Sequence, residues 1–298
     1  MAFAFLKSFF GFAQTDQPSE PATTRTIIIA DLKASDYQIS FSLKTDPGCI
    51  RENNEDNALI LPETPETTGQ GLLAVIADGM GGHAAGEVAS GIVIEVVPTE
   101  YRASRDKRTG FALREALVLS NSEIFDQAQA NPTYRRMGTT CIAVAIREGR
   151  IFFAHVGDSR LYRLRQNTLT QLTEDHSYVM SLVKEGQITR EEAANHENKN
   201  IILRAMGTKE QVEVDITEEG LPVQINDKYL LCTDGLHDVV TDNEITTLMQ
   251  IKNPDDATAQ MVETAKQYGG PDNITVILME ICPRESNIEN AHQENKQS

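Results

Sequence analysis

The chain has no block of basic residues: Lys plus Arg number 27 against 44 Asp plus Glu, a formal charge of −17 over 298 residues. Binding to nucleic acid or to an anionic membrane runs on clustered cations, so both are poor partners, and a basic or neutral peptide suits this surface better. It also lacks a long hydrophobic run. The apolar residues 1–14, MAFAFLKSFFGFAQ, are too short to span a bilayer, their start is not basic, and FGFAQ is a weak cleavage site. A short docking or interfacial segment and a loose terminus both fit this stretch, and the loose terminus is preferred. Cysteines are few. Cys49, Cys141, Cys232 and Cys282 lie in or beside strand-like runs without metal spacing, which reads as small buried hydrophobes in a reducing compartment, hence a cytoplasmic location. No internal repeat is seen, and neither a Cys-x5-Arg thiolate nucleophile nor an aspartyl-phosphate motif is expected.

Apolar residues make up 40% of the chain, enough for a sizeable core. Residues 72–77 form a short apolar run of the kind found in strands buried on both faces. The run stops at Asp78, is followed by Gly79, Met80, Gly81 and Gly82, and gives way to a helical pattern with Val88, Ile92 and Val96 four residues apart. A carboxylate followed by glycines suits a hard cation or a phosphate, although one such site on its own is as well explained as a turn. The arrangement recurs. Asp234-Gly235 follows the run 229–232, Asp158 follows 151–156, Asp272 precedes 274–281, and Glu55 and Asp56 precede 58–61. If these strands lie side by side, the carboxylates converge on one edge of a sheet or sandwich. No His or Cys stands at ligand spacing, and an oxygen-only set favours Mg²⁺ or Mn²⁺ over Zn²⁺. Carboxylates gathered this closely need cations between them, and two ions about 3.5–4 Å apart is the usual solution in phosphoryl hydrolysis.

Taken in order, residues 15–25 read as a linker and residues 37–44 alternate like a half-buried strand. Arg51, five residues before Asp56, is equally suited to gripping a phosphate and to a surface ion pair. Helices are predicted over 83–102 and from Leu113 to just before Asn131. Strands follow over 138–146 and 150–156, joined by a Glu148-Gly149 hairpin, with LYRLR as a third. Beyond LTEDHS comes a polar stretch with Gly186 as a helix stop and a Thr189–Glu192 capping box. Further strands are predicted over 211–217 and 228–233, and helices over 236–240, 244–251 and 255–268. NITVILMEI closes the sheet. The tail past residue 283 is polar and reads as disordered. The class is α+β, with helices outside two sheets.

The blocks GCIRENNEDN, VIADGMGGHAAGE, MGTTCIAVAI, HVGDSRLYRL, LTEDHSYV, LCTDGLHDVV and GGPDNITV occur in the order seen in the type-2C metal-dependent protein serine/threonine phosphatases. Over residues 37–281 the chain resembles the bacterial branch of that family. The resemblance implies a central β-sandwich of two antiparallel sheets flanked by helical layers (four-layer αββα), with a flap subdomain at about 176–208. It also implies a flexible segment 1–30, a phosphatase domain 31–283 and a tail 284–298. The implied activity is hydrolysis of phosphoserine and phosphothreonine in proteins by water bridging two Mn²⁺ or Mg²⁺ ions, reversing a serine/threonine kinase, in a monomer without a stable membrane span.

Carried over by resemblance, Asp78 bridges both ions, Gly79 and Glu55 join the second, and Asp234 and Asp272 hold the first, with Asp56 reaching it through water. Asp158 joins Asp234 at a third, weaker ion, and Arg51 grips the phosphate. Many eukaryotic relatives place a histidine after the Asp-Gly pair; here Met80 has no proton to give, which leaves the general acid open, with His83 as a candidate and a metal-bound water preferred. His176 is expected to be structural before it is catalytic. Two rivals stand beside the phosphatase: a non-catalytic binder of the same fold, and another two-metal hydrolase acting on nucleotides.

Overall fold

The computed structural model describes residues 32–33, 35–82, 84–104 and 108–284. The expectations for residues 1–30, for His83 and for the tail from 285 onward lie outside the described residues.

The chain runs β1 (Tyr37–Asp46), β2 (Asp56–Leu61), β3 (Leu72–Met80), α1 (Ala84–Ala103), α2 (Thr109–Ala130), β4 (Gly138–Thr139), β5 (Cys141–Arg147) and β6 (Arg150–Val156). It continues with β7 (Arg160–Arg165), β8 (Thr168–Gln171), α3 (Tyr178–Lys184), α4 (Arg190–Ala194), β9 (Asp215–Ile216) and β10 (Leu221–Pro222). It closes with β11 (Lys228–Cys232), α5 (Asp234–His237), α6 (Asp242–Met249), α7 (Pro254–Gln267) and β12 (Ile274–Pro283). One sheet has the order β1-β12-β11-β7-β8; the other has β10-β6-β5-β3-β2, with β4 on β3 and β9 on β6. The pairings are antiparallel.

Strand β3 shows why its sequence is continuously apolar. Leu73, Val75 and Ala77 face α1 and α2 in one core cluster, whereas Leu72, Ala74 and Ile76 face the other sheet in a second. A third cluster packs Tyr162, Leu230 and Val276 against α5, α6 and α7. Three cores separate four layers, the αββα sandwich that the family resemblance implied.

The structure differs from the sequence expectations at several elements. The polar side of β1 meets water at Gln38 and Lys44 but not at its middle, where α7 packs over Ser42: the buried hydroxyl bonds to Asp255 Oδ1 at 2.6 Å and Thr258 Oγ1 at 2.9 Å. The run 138–146 breaks at Thr140 into β4 and β5. The strand expected over 211–217 shrinks to β9, because Asp215 and Ile216 alone find partners, on His155 and Ala154. Strands β8 and β10 were not anticipated. Helix α6 starts earlier than expected, at Asp242, because Thr241 and Glu244 form a capping box. All four cysteines are free; Cys141 and Cys232 are buried as expected, but Cys49 is exposed and Cys282 half-buried.

Between β8 and β9 the chain leaves the two sheets, and the stretch 176–208, expected to be the flap, carries α3 and α4. The Ser177–Ile202 bridge closes this stretch on itself, and the Thr139–Met206 bridge ties it to β4. The Thr189–Glu192 capping box and the positive-φ Gly186 stand where the sequence put them.

Candidate metal centre

Asp56 opens β2 and lies directly opposite Asp78 on β3. Facing residues on antiparallel strands have Cα atoms about 4.5–5.5 Å apart, so this register brings two acids face to face. The Asp78 backbone is pinned at the break in the neighbouring strand: its N–H donates to Thr140 Oγ1 at 3.0 Å, and its carbonyl accepts from Thr140 N–H at 2.9 Å and Thr139 Oγ1 at 2.8 Å. Gly79 follows, its N–H donating to Glu55 O at 3.2 Å. A β-carbon on Gly79 would collide with the carbonyls of Glu55 and Gly86, and one on Gly86 with the Glu55 carboxylate. Glycine at both positions lets α1 start close against the strand end, with Glu55 between them.

The other sheet supplies the remaining acids. Strand β11 runs into Thr233, whose hydroxyl donates to Asp56 Oδ2 at 3.0 Å and so bridges the two sheets; Asp234 is next. Asp272 precedes β12. Asn273 organises that corner: its N–H donates to Asp272 Oδ1 at 2.8 Å, its Oδ1 accepts from Glu55 N–H at 2.8 Å, and its Nδ2 donates to Pro47 O at 3.0 Å and Asn53 O at 2.9 Å. Asp158 lies where the chain crosses from β6 in one sheet to β7 in the other, and its backbone carbonyl is 3.2 Å from His237 Nε2. Arg51 is half-exposed, with Nη2 2.6 Å from Asp272 Oδ2. Thr233, Asn273 and His237 were not singled out from sequence, where their signal was only adjacency to the acidic corners; Thr140, with Gly138 and Thr139, was expected near the site from the family resemblance, its residue type alone saying only strand.

Burial, and then the neighbouring carboxylates, push Asp78 and Asp234 well above the ordinary carboxylate range. Burial raises Asp56 to about 7 against the hydrogen bonds it accepts from threonine, and raises Asp158 to about 6 against the pull of His237. The Oδ1 atoms of Asp56, Asp158 and Asp234 are buried without a hydrogen-bond partner. Buried lone pairs left unused on mutually repelling acids mark a place for cations, and an all-oxygen donor set fits Mg²⁺ or Mn²⁺.

A second group, His155, His176 and Asp215, has its candidate ligand atoms within 4.8 Å of one another. It does not fit a metal. His176 Nδ1 accepts from Gly157 N–H at 3.0 Å, so the neutral ring carries its proton on Nε2, 3.3 Å from Asp215. The Arg204 guanidinium fills the remaining space, 2.7 Å from Asp215 Oδ1 and 3.1 Å from His176 Nε2. Burial, then His155 and Arg204, hold His176 down to about 4. The ring is a structural fixture of the flap root.

One sequence expectation needs correcting. A Cys-x5-Arg spacing does occur, at Cys141 and Arg147. Both lie on β5, which sets them about 20 Å apart along an extended strand, and burial pushes the Cys141 thiol up, so no thiolate nucleophile results.

The sequence profile of the family "Protein phosphatase 2C" matches residues 52–278. The serine/threonine phosphatase stp of Listeria monocytogenes is 39% identical over 242 residues, 80% of this chain and 94% of that protein. The crystal structure of Stp1, a serine/threonine phosphatase from Staphylococcus aureus, superposes with a TM-score of 0.74 at 36% identity, covering 82% of this chain and 95% of that one. The catalytic domain of the phosphatase PstP in complex with two manganese ions gives a TM-score of 0.68 at 36% identity, covering 82% and 98%. Fold, acidic centre and relatives agree: the chain belongs to the bacterial branch of the protein phosphatase 2C family and is a serine/threonine protein phosphatase that works with Mn²⁺ or Mg²⁺.

Proposed function

We propose that the acidic centre performs direct hydrolysis of phosphoserine and phosphothreonine, with Asp78 between two ions, Gly79 O and Glu55 on one of them, and Asp234 and Asp272 on the other. Asp158 pairs with Asp234 at a third, weaker position. The observation that carries this reading is the convergence of Asp56, Asp78, Asp234 and Asp272 from both sheets, with the Oδ1 atoms of Asp56 and Asp234 buried and without a hydrogen-bond partner. Bound divalent ions supply Lewis acidity, lowering the pKa of water and neutralising phosphate charge.

The protein's own groups do the rest. Thr233 occupies Asp56 Oδ2 and leaves Oδ1 to accept a proton from the attacking water and orient it. Arg51, exposed enough to swing, exchanges Asp272 for the phosphate oxygens and holds the ester in line. Met80 offers no proton, so the leaving oxygen takes its proton from solvent in the cleft. The substrate is a phosphorylated protein, the opposing partner is a serine/threonine kinase, and the enzyme acts as a monomer in the cytoplasm.

The test is phosphate release from phosphothreonine peptides and from nucleotides, with Mn²⁺ and with chelator. Release from the peptides, little from nucleotides and loss of activity with EDTA are expected. Activity indifferent to EDTA, or a preference for nucleotides, overturns the proposal.

A further inference from the structure

The turn Tyr134–Met137 stands at the rim of the acidic centre. It leads into β4, where Gly138 pairs with Met80 and Thr139 with Gly79, the residue after Asp78. Met137 N–H donates to Tyr134 O at 2.9 Å; between them Arg135 has φ −60° and ψ 123°, and Arg136 has φ +78°. These are the angles of a type II turn, whose second inner position calls for glycine. Here it holds arginine, in a conformation that costs a side chain more than it costs glycine. The other non-glycine residues with positive φ, Glu148, Gln166, Asn167 and Asn226, lie in the β5–β6, β7–β8 and β10–β11 turns, away from the acids. A β-carbon on Gly81 would sit 3.0 Å from Met137 Cα and 3.1 Å from Arg136 O, so the turn packs directly on the glycines that follow Asp78.

Both arginines are exposed, and neither side chain has a hydrogen-bond or ion-pair partner among the described residues. Lys209 is a third such cation. Its loop lies beside the turn: a β-carbon on Gly138 would be 3.0 Å from Thr208 Cγ2. Asn121 on α2 holds that loop, its Nδ2 donating to Lys209 O at 3.2 Å and Glu210 O at 3.1 Å. The cations of the flap differ. Lys184 is paired with Glu174, Lys199 with Asp238, and Arg204 with Glu213 and Asp215. At the rim the backbone is fixed and the charges are uncommitted.

We propose that Arg135, Arg136 and Lys209 form a cationic rim that binds acidic side chains flanking the phosphorylated residue, so that the enzyme selects phosphothreonine in acidic sequences. The inference rests on the phosphatase reading of the centre. From Thr139, opposite Gly79, back to Arg136 the chain spans at most about 10 Å, so a carboxylate within about three positions of the phosphothreonine is in reach. Exposed charges act over about 8 Å at physiological salt. The rim, and not the net charge of −17 spread over the chain, therefore sets the preference next to the phosphate.

The experiment measures phosphate release, with Mn²⁺, from phosphothreonine peptides alike except for Glu, Gln or Lys at the flanking positions. In wild type, kcat/KM is expected to be about three- to fivefold higher for the Glu peptide than for the Gln peptide, the size of a few exposed charge pairs, and the ratio should fall as salt is raised. Arg136→Gly, Arg135→Gln and Lys209→Gln are each expected to lower that ratio, through KM rather than kcat, and the triple variant to abolish it. Glycine suits the turn, so Arg136→Gly is expected to fold and to report on the side chain alone. Equal rates on the three peptides, or a preference for Gln or Lys, overturn the rim, and so does a Glu preference that survives all three changes. Hydrolysis of none of the peptides overturns the phosphatase reading, and the rim with it.

Discussion

Asp56 and Asp78 face each other across adjacent strands, and Thr233 reaches over from the other sheet to touch the first of them. These acids are arranged against their own folding preference, since each raises the proton affinity of its neighbours. Asp234→Asn and Asp272→Asn are expected to lower turnover by well over ~10-fold each while leaving the melting transition and circular dichroism native, because a charge is removed without a change of shape. Near-normal turnover in either variant would mean that its corner is only a turn. The acidic corners were legible in sequence because each abuts an apolar run, Asp78, Asp158 and Asp234 just after one and Glu55, Asp56 and Asp272 just before one. Asn273 was not. Its role is defined by Glu55, 218 positions earlier in the chain, and by Pro47 and Asn53, and no local pattern encodes such a contact. Cys49 was misjudged for a similar reason: apolar neighbours in sequence did not make it an interior residue.

At the level of elements, the crossing of β3 and α1 carries the most constraint. Gly79 and Gly86 sit back to back, with the Glu55 carboxylate against Gly86. Gly86→Ala adds a methyl where there is no room, and overpacking of this kind costs about 1–3 kcal/mol. Chemical denaturation should read that loss. The same variant should need more Mn²⁺ for half-maximal activity, since the methyl displaces Glu55; a stability loss with an unchanged Mn²⁺ requirement would remove Glu55 from the centre. Long elements with strong periodicity, α1, α2, α7, β5 and β6, could be read from the chain within a few residues. The two-residue strands β9 and β10 could not, because they exist only where a neighbouring strand offers free backbone groups, on β6. β1 misled for a related reason. Its alternation is real and Gln38 and Lys44 do meet water, but α7 covers the middle of that face, where Ser42 is buried with its hydroxyl satisfied.

For the whole molecule, the proposed ligand set makes protons and metal ions compete for the same groups. Asp56 and Asp158 titrate at about 7 and about 6 in the fold, above the ordinary unfolded carboxylate value of about 4. Their protonated forms therefore stabilise the metal-free protein at acidic pH, and that contribution is lost as pH rises from about 4 through 7. His176 has the opposite sign: held down to about 4, its contribution is lost as pH falls from about 6.5 to 4. It is the same with and without metal, so it cancels in the difference. The rise in melting temperature caused by Mn²⁺ should accordingly be larger at pH 7.5 than at pH 5.5, as read by differential scanning fluorimetry. An increment that does not vary with pH would place the ion away from these carboxyls.

β12 lies between β1 and β11 at the heart of its sheet, and Asp272 and Asn273 immediately precede it. A ribosome delivers this strand after every other strand described. Until it emerges, β1 has no neighbour in its sheet and Arg51 has no Asp272 to pair with. On the proposed ligand set, a copy truncated ahead of Asp272 is therefore expected to release no phosphate from phosphopeptides, whatever part of the other sheet it forms.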